Sequence, residues 1–503
     1  MPTSRNRRLR LPVVVAATAA LLLPLAACSE SSGSGDAQRL RVVMAFPPAQ
    51  AMSPYGDDAV TLSRLAVIEG LTTLDENGAA RPALATSWKR DNPTTWTFTL
   101  RDAAFQDGDP VDADAVVRSL TAAGKASPLP RVLSDTRLTA TATRPGTVRI
   151  VTGTEDPLLP QRLANPSLAV LSAAAYRNGR VDPAGHATGP FTLTDVKGAV
   201  AATLERNSDY WGAGAKAPGV DVTFAADGTA RANALRTGAV DVAEYLPIAQ
   251  ASLLGDSFVH AFPSARTTGL SLNTRDGVFA DPAVRAAARE AVDSRALVDG
   301  VYEGRADTAE GLLGPGVPWA AGKRTAPTGR TPAASRAEVA GTEEIVLATY
   351  TNRPELPEAA TLVQQQLERR GFTVRQVVRD YAQMEADALA GRYDAFIQAR
   401  NTLLDTADPV SYLSSDFTCD GSFTISRLCD KGVDAAVDAA AASSGTDARH
   451  AAVMAAEAAV LGTDALVPLV HERFVQGYDD ARVEGVALDP MERTLITADT
   501  HVG

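Results

Sequence analysis

Apolar and polar positions alternate most cleanly over residues 95–100, where Trp96, Phe98 and Leu100 interleave with Thr95, Thr97 and Thr99. That period of two predicts a half-buried strand. Asp75-Glu76-Asn77-Gly78 before it and Asp107-Gly108-Asp109-Pro110 after it are turn signals, since Asn and Gly tolerate positive φ and Pro fixes its own. Asp112 or Asp114 then caps a helix begun by Ala115-Val116-Val117. Elsewhere the pattern predicts a buried strand over 40–45, a short helix over 59–68, a hairpin over 137–151 and a helix within 157–171. A strand at 220–224, a helix at 230–237 and a short strand at 240–243 suggest a parallel sheet. A strand at 270–274 leads to a helix capped by Asp281, with Pro282 in its first turn, running through Ala296. Residues 311–340 are rich in Gly and Pro and read as a surface excursion. Then follow a strand at 345–350, an amphipathic helix at 357–370 stopped by Gly371, a strand at 372–378, a helix at 383–390 and a strand entered at 391–397. Ala-rich helices over 433–461 and strands at 467–475 and 483–488 complete the chain.

The chain has 503 residues, 45% of them hydrophobic and 21% charged, enough for two or more substantial cores. Its formal net charge of −12 argues against non-specific nucleic-acid binding, which needs a basic face. Arg5, Arg7, Arg8 and Arg10 precede an apolar run over 11–23, too short to span a bilayer, which takes about 20 residues. Leu25-Ala26-Ala27-Cys28 resembles the lipobox of bacterial lipoproteins, in which the Cys is lipidated; the alternative is an ordinary signal peptide with an incidental Cys. The polar run 29–38 suits a flexible tether. In an exported protein, Cys419 and Cys429 are close enough in sequence to read as a disulfide.

The order of motifs carries more than the elements do. Glu69-Gly70-Leu71, then Arg81-Pro82-Ala83-Leu84-Ala85-Thr86-Ser87-Trp88, the strand at 95–101, and Phe105-Gln106-Asp107-Gly108-Asp109-Pro110 follow one another. Thr188-Gly189-Pro190-Phe191 and Asn207-Ser208-Asp209-Tyr210-Trp211-Gly212 come later in the same order. The series resembles the extracellular solute-binding proteins of the peptide/nickel/opine class that serve ABC importers. The resemblance implies an α/β, two-lobed periplasmic-binding-protein-like (type II) fold with an extra subdomain in the first lobe. It implies a signal peptide over 1–27, a lipidated tether over 28–38 and a first lobe over 39–270 with the extra subdomain at about 66–180. A second lobe covers 271–477, and residues 478–503 return to the first. Crossings between lobes are expected near 268–273 and 476–480, making a hinge.

No catalytic constellation stands out. The five histidines, at 186, 260, 450, 471 and 501, lack metalloprotease spacing, and GxSxG and GxxxxGK[ST] are absent. Asp107, Asp109, Asp112 and Asp114 lack calcium-loop spacing and read as turn and cap. No cofactor and no metal are expected. The most informative polar run is Arg400-Asn401-Thr402-Leu403-Leu404-Asp405-Thr406-Ala407-Asp408-Pro409, after a buried strand, where α/β clefts form. In peptide-binding relatives an acidic residue three positions before the Asp-Pro pair receives the ligand's ammonium, and Asp405 matches it; the alternative is a helix cap. Where many relatives carry Gly-Trp, this chain has Ala399-Arg400, so Arg400 is a further candidate, for a ligand carboxylate. Backbone edges near Asn273 and Tyr245 complete the candidate set, with Asn401 and Thr402.

The implied function is a monomeric, extracytoplasmic, membrane-anchored receptor that hands short peptides to an ABC permease. The alternatives are a receptor for a nickel chelate or other small metabolite, an exported hydrolase, and a ligand-sensing signalling protein.

Overall fold

The structure, a computed structural model, describes residues 38–503 apart from 57, 128, 178 and 404. The expected signal peptide, Cys28 and nearly all of the tether lie outside the described residues. Among the described residues the largest sheet has eleven strands. Leu40–Met44 lies parallel to both its neighbours, Gly219–Phe224 and Val242–Ala243. Ala201–Arg206 and Phe191–Lys197 extend that end antiparallel. At the other end Ile345–Tyr350 lies parallel between Val374–Arg379 and Ala395–Asn401.

Two long antiparallel strands, Val259–Leu272 and Leu466–Tyr478, join the halves. The far end of the second pairs with Val242–Ala243, and the far end of the first pairs with Ala395–Asn401. The sheet is therefore mixed, not parallel: strand–helix alternation governs each half, while antiparallel strands bridge them. The ladder between the long strands slips between Pro263 and Thr267. Proline has no amide hydrogen to give a ladder and is tolerated at such a break.

Four hydrophobic cores follow from this layout. One, under the first lobe's strands, contains Leu40, Val42, Phe191, Leu204 and Val220. Another lies under the joining strands and the second lobe's sheet, with Leu270, Phe279, Leu347, Val363 and Phe396. A helical core holds Leu313, Leu413, Val453 and Leu461. The fourth belongs to the motif-bearing stretch, a four-stranded sheet covered by helix Ala113–Ala123. There Trp96 faces Ile150 and Phe98 faces Val148 on the buried side, the pairing that stabilises a sheet face. Asp112 accepts a hydrogen bond from the Ala115 amide at 2.8 Å and caps the helix. Val116, Leu120 and Ala123 form its buried stripe.

Several expectations need correction. The helix after Asp281 ends at Ala291, and a new one, Ser294–Gly300, starts with Asp293 accepting from the Ala296 amide at 3.1 Å. An aspartate that bonds the backbone ahead of it favours a fresh start over continuation. The stretch 311–340 is a surface excursion only in part: Leu312, Leu313, Val317 and Ala320 are buried, whereas none of residues 321–333 is. The Glu457 carboxylate accepts from the Leu312 and Leu313 amides at 2.6 and 3.0 Å. Gly311, Gly314 and Gly316 mark irregular backbone and are buried, not exposed. Within 157–171 only Leu159–Arg162 is α-helical.

Candidate functional site

The C-terminal ends of strands from both halves point toward one region, where ligands of α/β folds collect. Leu40–Met44 delivers Ala45 and Phe46, Val242–Ala243 delivers Glu244 and Tyr245, and Ile345–Tyr350 delivers Arg353. The long strands supply Arg266, Thr268 and Glu472, and the tail supplies Glu492. Tyr245 has φ of 53°, costly for a residue with a side chain and a feature of constrained sites. Its ring lies edge-on to Phe474 at 4.9 Å and Phe46 at 6.3 Å, and the Arg353 guanidinium sits 5.0 Å above it. Burial pushes the Tyr245 hydroxyl pKa well up.

A chain of ion pairs runs through this region. Arg353 reaches Glu472 at 2.6 Å and Glu355 at 3.5 Å. Thr268 donates to Glu472 at 2.5 Å. Arg266 holds the Glu492 carboxylate through two contacts of 3.2 and 3.1 Å, and Arg64 approaches it at 3.6 Å. Arg64 also meets Glu244 at 2.8 Å, whose other oxygen accepts from the Ala45 amide at 2.8 Å. Burial opposes ionisation of Glu492, but the Arg266 charge, then Arg64 and Arg353, pull its pKa below the ordinary carboxylate value. For Glu355 burial prevails over Arg353 and the pKa is raised.

Beside this chain lies a cavity of about 480 Å³. It is lined by Arg64 and Arg131 from the first lobe, Arg266 and Asn401 from paired strands, Asp405, and Glu492 with Arg493 from the tail. The Asp405 carboxylate accepts from the Arg131 Nε at 3.1 Å, and its carbonyl accepts from Asn165 at 3.0 Å. Asp405 is not the helix cap; Asp408 is, accepting from the Val410 amide at 2.9 Å. Asn401 spends its side-chain oxygen on the Leu403 amide at 2.9 Å. Tyr245 lines a separate small space of about 20 Å³ with Tyr302, Glu355 and Glu472.

The remaining candidates do not line either space. Arg400 is buried in a two-contact pair with Asp416 at 2.7 and 2.6 Å, under the Phe423 ring at 4.1 Å. In this arrangement its charge is answered by Asp416. Thr402 donates its hydroxyl and its amide to the Ala265 carbonyl at 2.9 and 2.8 Å, tying the second lobe to a joining strand. Asn273 donates to the Gly391 carbonyl at 3.2 Å and accepts from the Arg275 and Asp276 amides. Cys419 and Cys429 are disulfide-bonded, and the loop they close carries Phe423. Among the described residues no group of His, Cys, Asp and Glu is arranged to hold a metal ion, and no helix is long and apolar enough to cross a membrane.

The sequence pattern did not single out Arg64, Arg131, Arg266, Arg353, Glu472 or Glu492. Arg353 had a usable signal, a charged residue just past a strand's C-terminal end. Arg64 and Glu492 stand 428 residues apart and meet only through the fold.

A model of the bacterial extracellular solute-binding proteins, family 5 Middle, matches residues 79–424. The probable ABC transporter periplasmic-binding protein SapA of Escherichia coli is 26% identical over 328 residues, 62% of this chain and 59% of SapA. The glutathione-binding protein GsiB of Salmonella paratyphi A is 28% identical over 356 residues, 67% of this chain and 69% of GsiB. The chain thus spans about three-fifths to two-thirds of these relatives' lengths. NikA of Brucella suis, solved with Fe(III)-EDTA, superposes with a TM-score of 0.80 at 21% identity, over 92% of this chain and all of NikA. A dipeptide-binding protein of a Pseudoalteromonas species, solved with Met-Leu, gives 0.78 at 18% identity, over 93% of this chain and all of that one. These structures share the two-lobed periplasmic-binding-protein-like fold.

Proposed function

We propose a function for a chain that belongs to the bacterial extracellular solute-binding proteins, family 5: it captures a short peptide between its lobes and delivers it to an ABC import permease. The family is one of solute-binding proteins rather than enzymes. The observation that carries the reading is the cavity of about 480 Å³ beside the joining strands, lined from both lobes and the tail. That volume suits a small ligand, for which pockets run from about 300 to 1,000 Å³. Asp405, at its edge, is the acceptor for the peptide's ammonium, and Asn401 is its neighbour in the wall. Lobe boundaries at about 270 and 477 put the slip between Pro263 and Thr267 at the hinge, where few ladder bonds oppose bending. The chain works outside the cytoplasm, held at the membrane by lipid on Cys28; two or three acyl chains suffice at about 0.8 kcal/mol per buried CH₂.

Thermal shift tests the reading, because a ligand that binds only the folded state raises the melting temperature. Ala-Ala and Ala-Ala-Ala should raise it, the N-acetylated forms should not, and Asp405→Asn should lose the response while keeping its fold. A shift equal for free and acetylated peptides removes Asp405 from the site. A second reading, a receptor for a nickel chelate or other small metabolite, draws support from the four arginines lining the same cavity.

A further inference from the structure

Among the described residues lining the cavity, Arg64, Arg131, Arg266 and Arg493 stand against two carboxylates, Asp405 and Glu492. Asp405 meets Arg131 near the rim, where the Arg131 side chain is 54% exposed. Glu492 lies deep, its carboxylate between the guanidinium groups of Arg266 and Arg64. Glu492 arrives from the tail with φ of 61°, a conformation that residues with a side chain seldom adopt. The flanking residues hold that turn: the Asp489 carboxylate accepts from the Met491, Arg493 and Thr494 amides at 2.9, 2.9 and 3.0 Å. The segment is thus braced to present one carboxylate to two arginines at the cavity wall. Arg266 is fixed at its other edge by the Ala399 carbonyl at 3.4 Å, and Arg64 by Glu244 and the Glu492 carbonyl at 2.8 and 2.7 Å. Both guanidinium groups therefore keep anchors that do not involve the Glu492 carboxylate.

We propose that Arg64 and Arg266 form a carboxylate subsite of the cleft, occupied in this state by the chain's own Glu492, which a carboxylate of the ligand displaces. The inference rests on the binding-cleft reading above and adds the ligand's chemical class: an anion whose carboxylate is matched to a fork of arginine donors. A peptide's C-terminal carboxylate and a small polycarboxylate share that chemistry. The internal carboxylate neutralises the arginines until a ligand does so.

The test needs no knowledge of the natural ligand. Glu492→Gly removes the side chain and suits the positive φ. In the full chain, purified in detergent, sodium acetate should raise the melting temperature of Glu492→Gly by several degrees, saturably. Sodium chloride at equal ionic strength should not, and acetate should leave the wild type and Glu492→Gly/Arg266→Gln unmoved. If Glu492→Gly does not fold, calorimetry on Glu492→Gln carries the test. N-acetyl-Ala-Ala or citrate should bind it at least tenfold tighter than the wild type, and N-acetyl-Ala-Ala-amide should gain nothing. A gain with the acetylated dipeptide assigns the subsite to a peptide terminus, and a gain with citrate alone to a polycarboxylate. Acetate acting no differently from chloride, or the amide gaining as much as the acid, overturns the proposal. Dipeptides binding through their amine while acetate does nothing would leave the peptide reading standing and remove the subsite; acetate rescue with no peptide binding would do the reverse.

Discussion

Two carboxylates, Glu69 and Glu492, each line a cavity of about 480 Å³, and their pKa values move in opposite directions. Glu69 accepts from the Tyr210 hydroxyl at 2.9 Å and the Trp211 indole at 2.8 Å. The nearest cation, Arg101, stacks on the Trp211 ring at 3.5 Å instead of reaching the carboxylate. Burial therefore prevails over the bonds from Trp211 and Tyr210, and the pKa rises. At Glu492 the donors are guanidinium groups, and it falls. Cavity size is the same; what differs is whether the answering groups carry charge. Neutral donors fix a carboxylate in place, tying the segment at Glu69 to the one at Tyr210 and Trp211. Cationic donors make a place where one carboxylate can be exchanged for another.

The largest way to break this comparison is to remove both charges. Glu492→Gln leaves a buried arginine without its partner and should cost about 3 kcal/mol in urea unfolding at pH 7. Glu69→Gln can still accept from Trp211 and donate to Tyr210, so its cost should stay within about 1 kcal/mol. Equal costs would mean the cations add nothing at Glu492. Opening the Cys419–Cys429 loop with a pair of serines sets a reference on the same scale, about 2–3 kcal/mol in the chain-entropy model, at a place remote in sequence from both carboxylates.

The pH dependence sharpens the contrast. Glu492 has a depressed folded-state pKa, so its contribution is full above the ordinary value of 4.5 and is lost as pH falls through the folded value. Glu69 has a raised one, so its contribution is full below 4.5 and is lost as pH rises through the folded value. Unfolding curves from pH 3 to 8 should show the gap between wild type and Glu492→Gln closing on acidification. For Glu69→Gln the gap should shift toward the variant as pH rises. The smallest effect belongs to the rim: Arg131→Ala breaks a half-exposed pair with Asp405 and should change stability by no more than about 0.5 kcal/mol. A larger loss would place the rim pair with the buried ones.

Much of the frame was legible because its signals are local. Trp96 and Phe98 alternate, Asp112 and Asp281 cap where their spacing says, and Gly371 ends its helix with φ of 115°. The long strand Val259–Leu272 was read only from Leu270, because Pro263 and Ser264 break the apolar pattern, and the slip that tolerates them exists only against its partner strand. At the site, Asp405 and Asn401 were legible as polar residues past a buried strand. The arginines were not, since a guanidinium's role depends on which carboxylate it meets, and those partners come from the far end of the chain. Arg400 shows the converse: a polar residue in the right place by sequence, claimed by Asp416 sixteen residues on.

The two long strands have one more consequence. The two ends of the segment between Leu272 and Ala465 are neighbours: Ser271 lies opposite Leu466, and the Leu272 amide donates to the Ala465 carbonyl at 2.9 Å. Everything between those points enters and exits through a gap one hydrogen bond wide. Such a segment can be lifted out and replaced by a homologous one at two adjacent splice points, without rerouting any other part of the backbone. Recombination, natural or at the bench, could thus graft a new half-cleft onto an old scaffold in a single exchange.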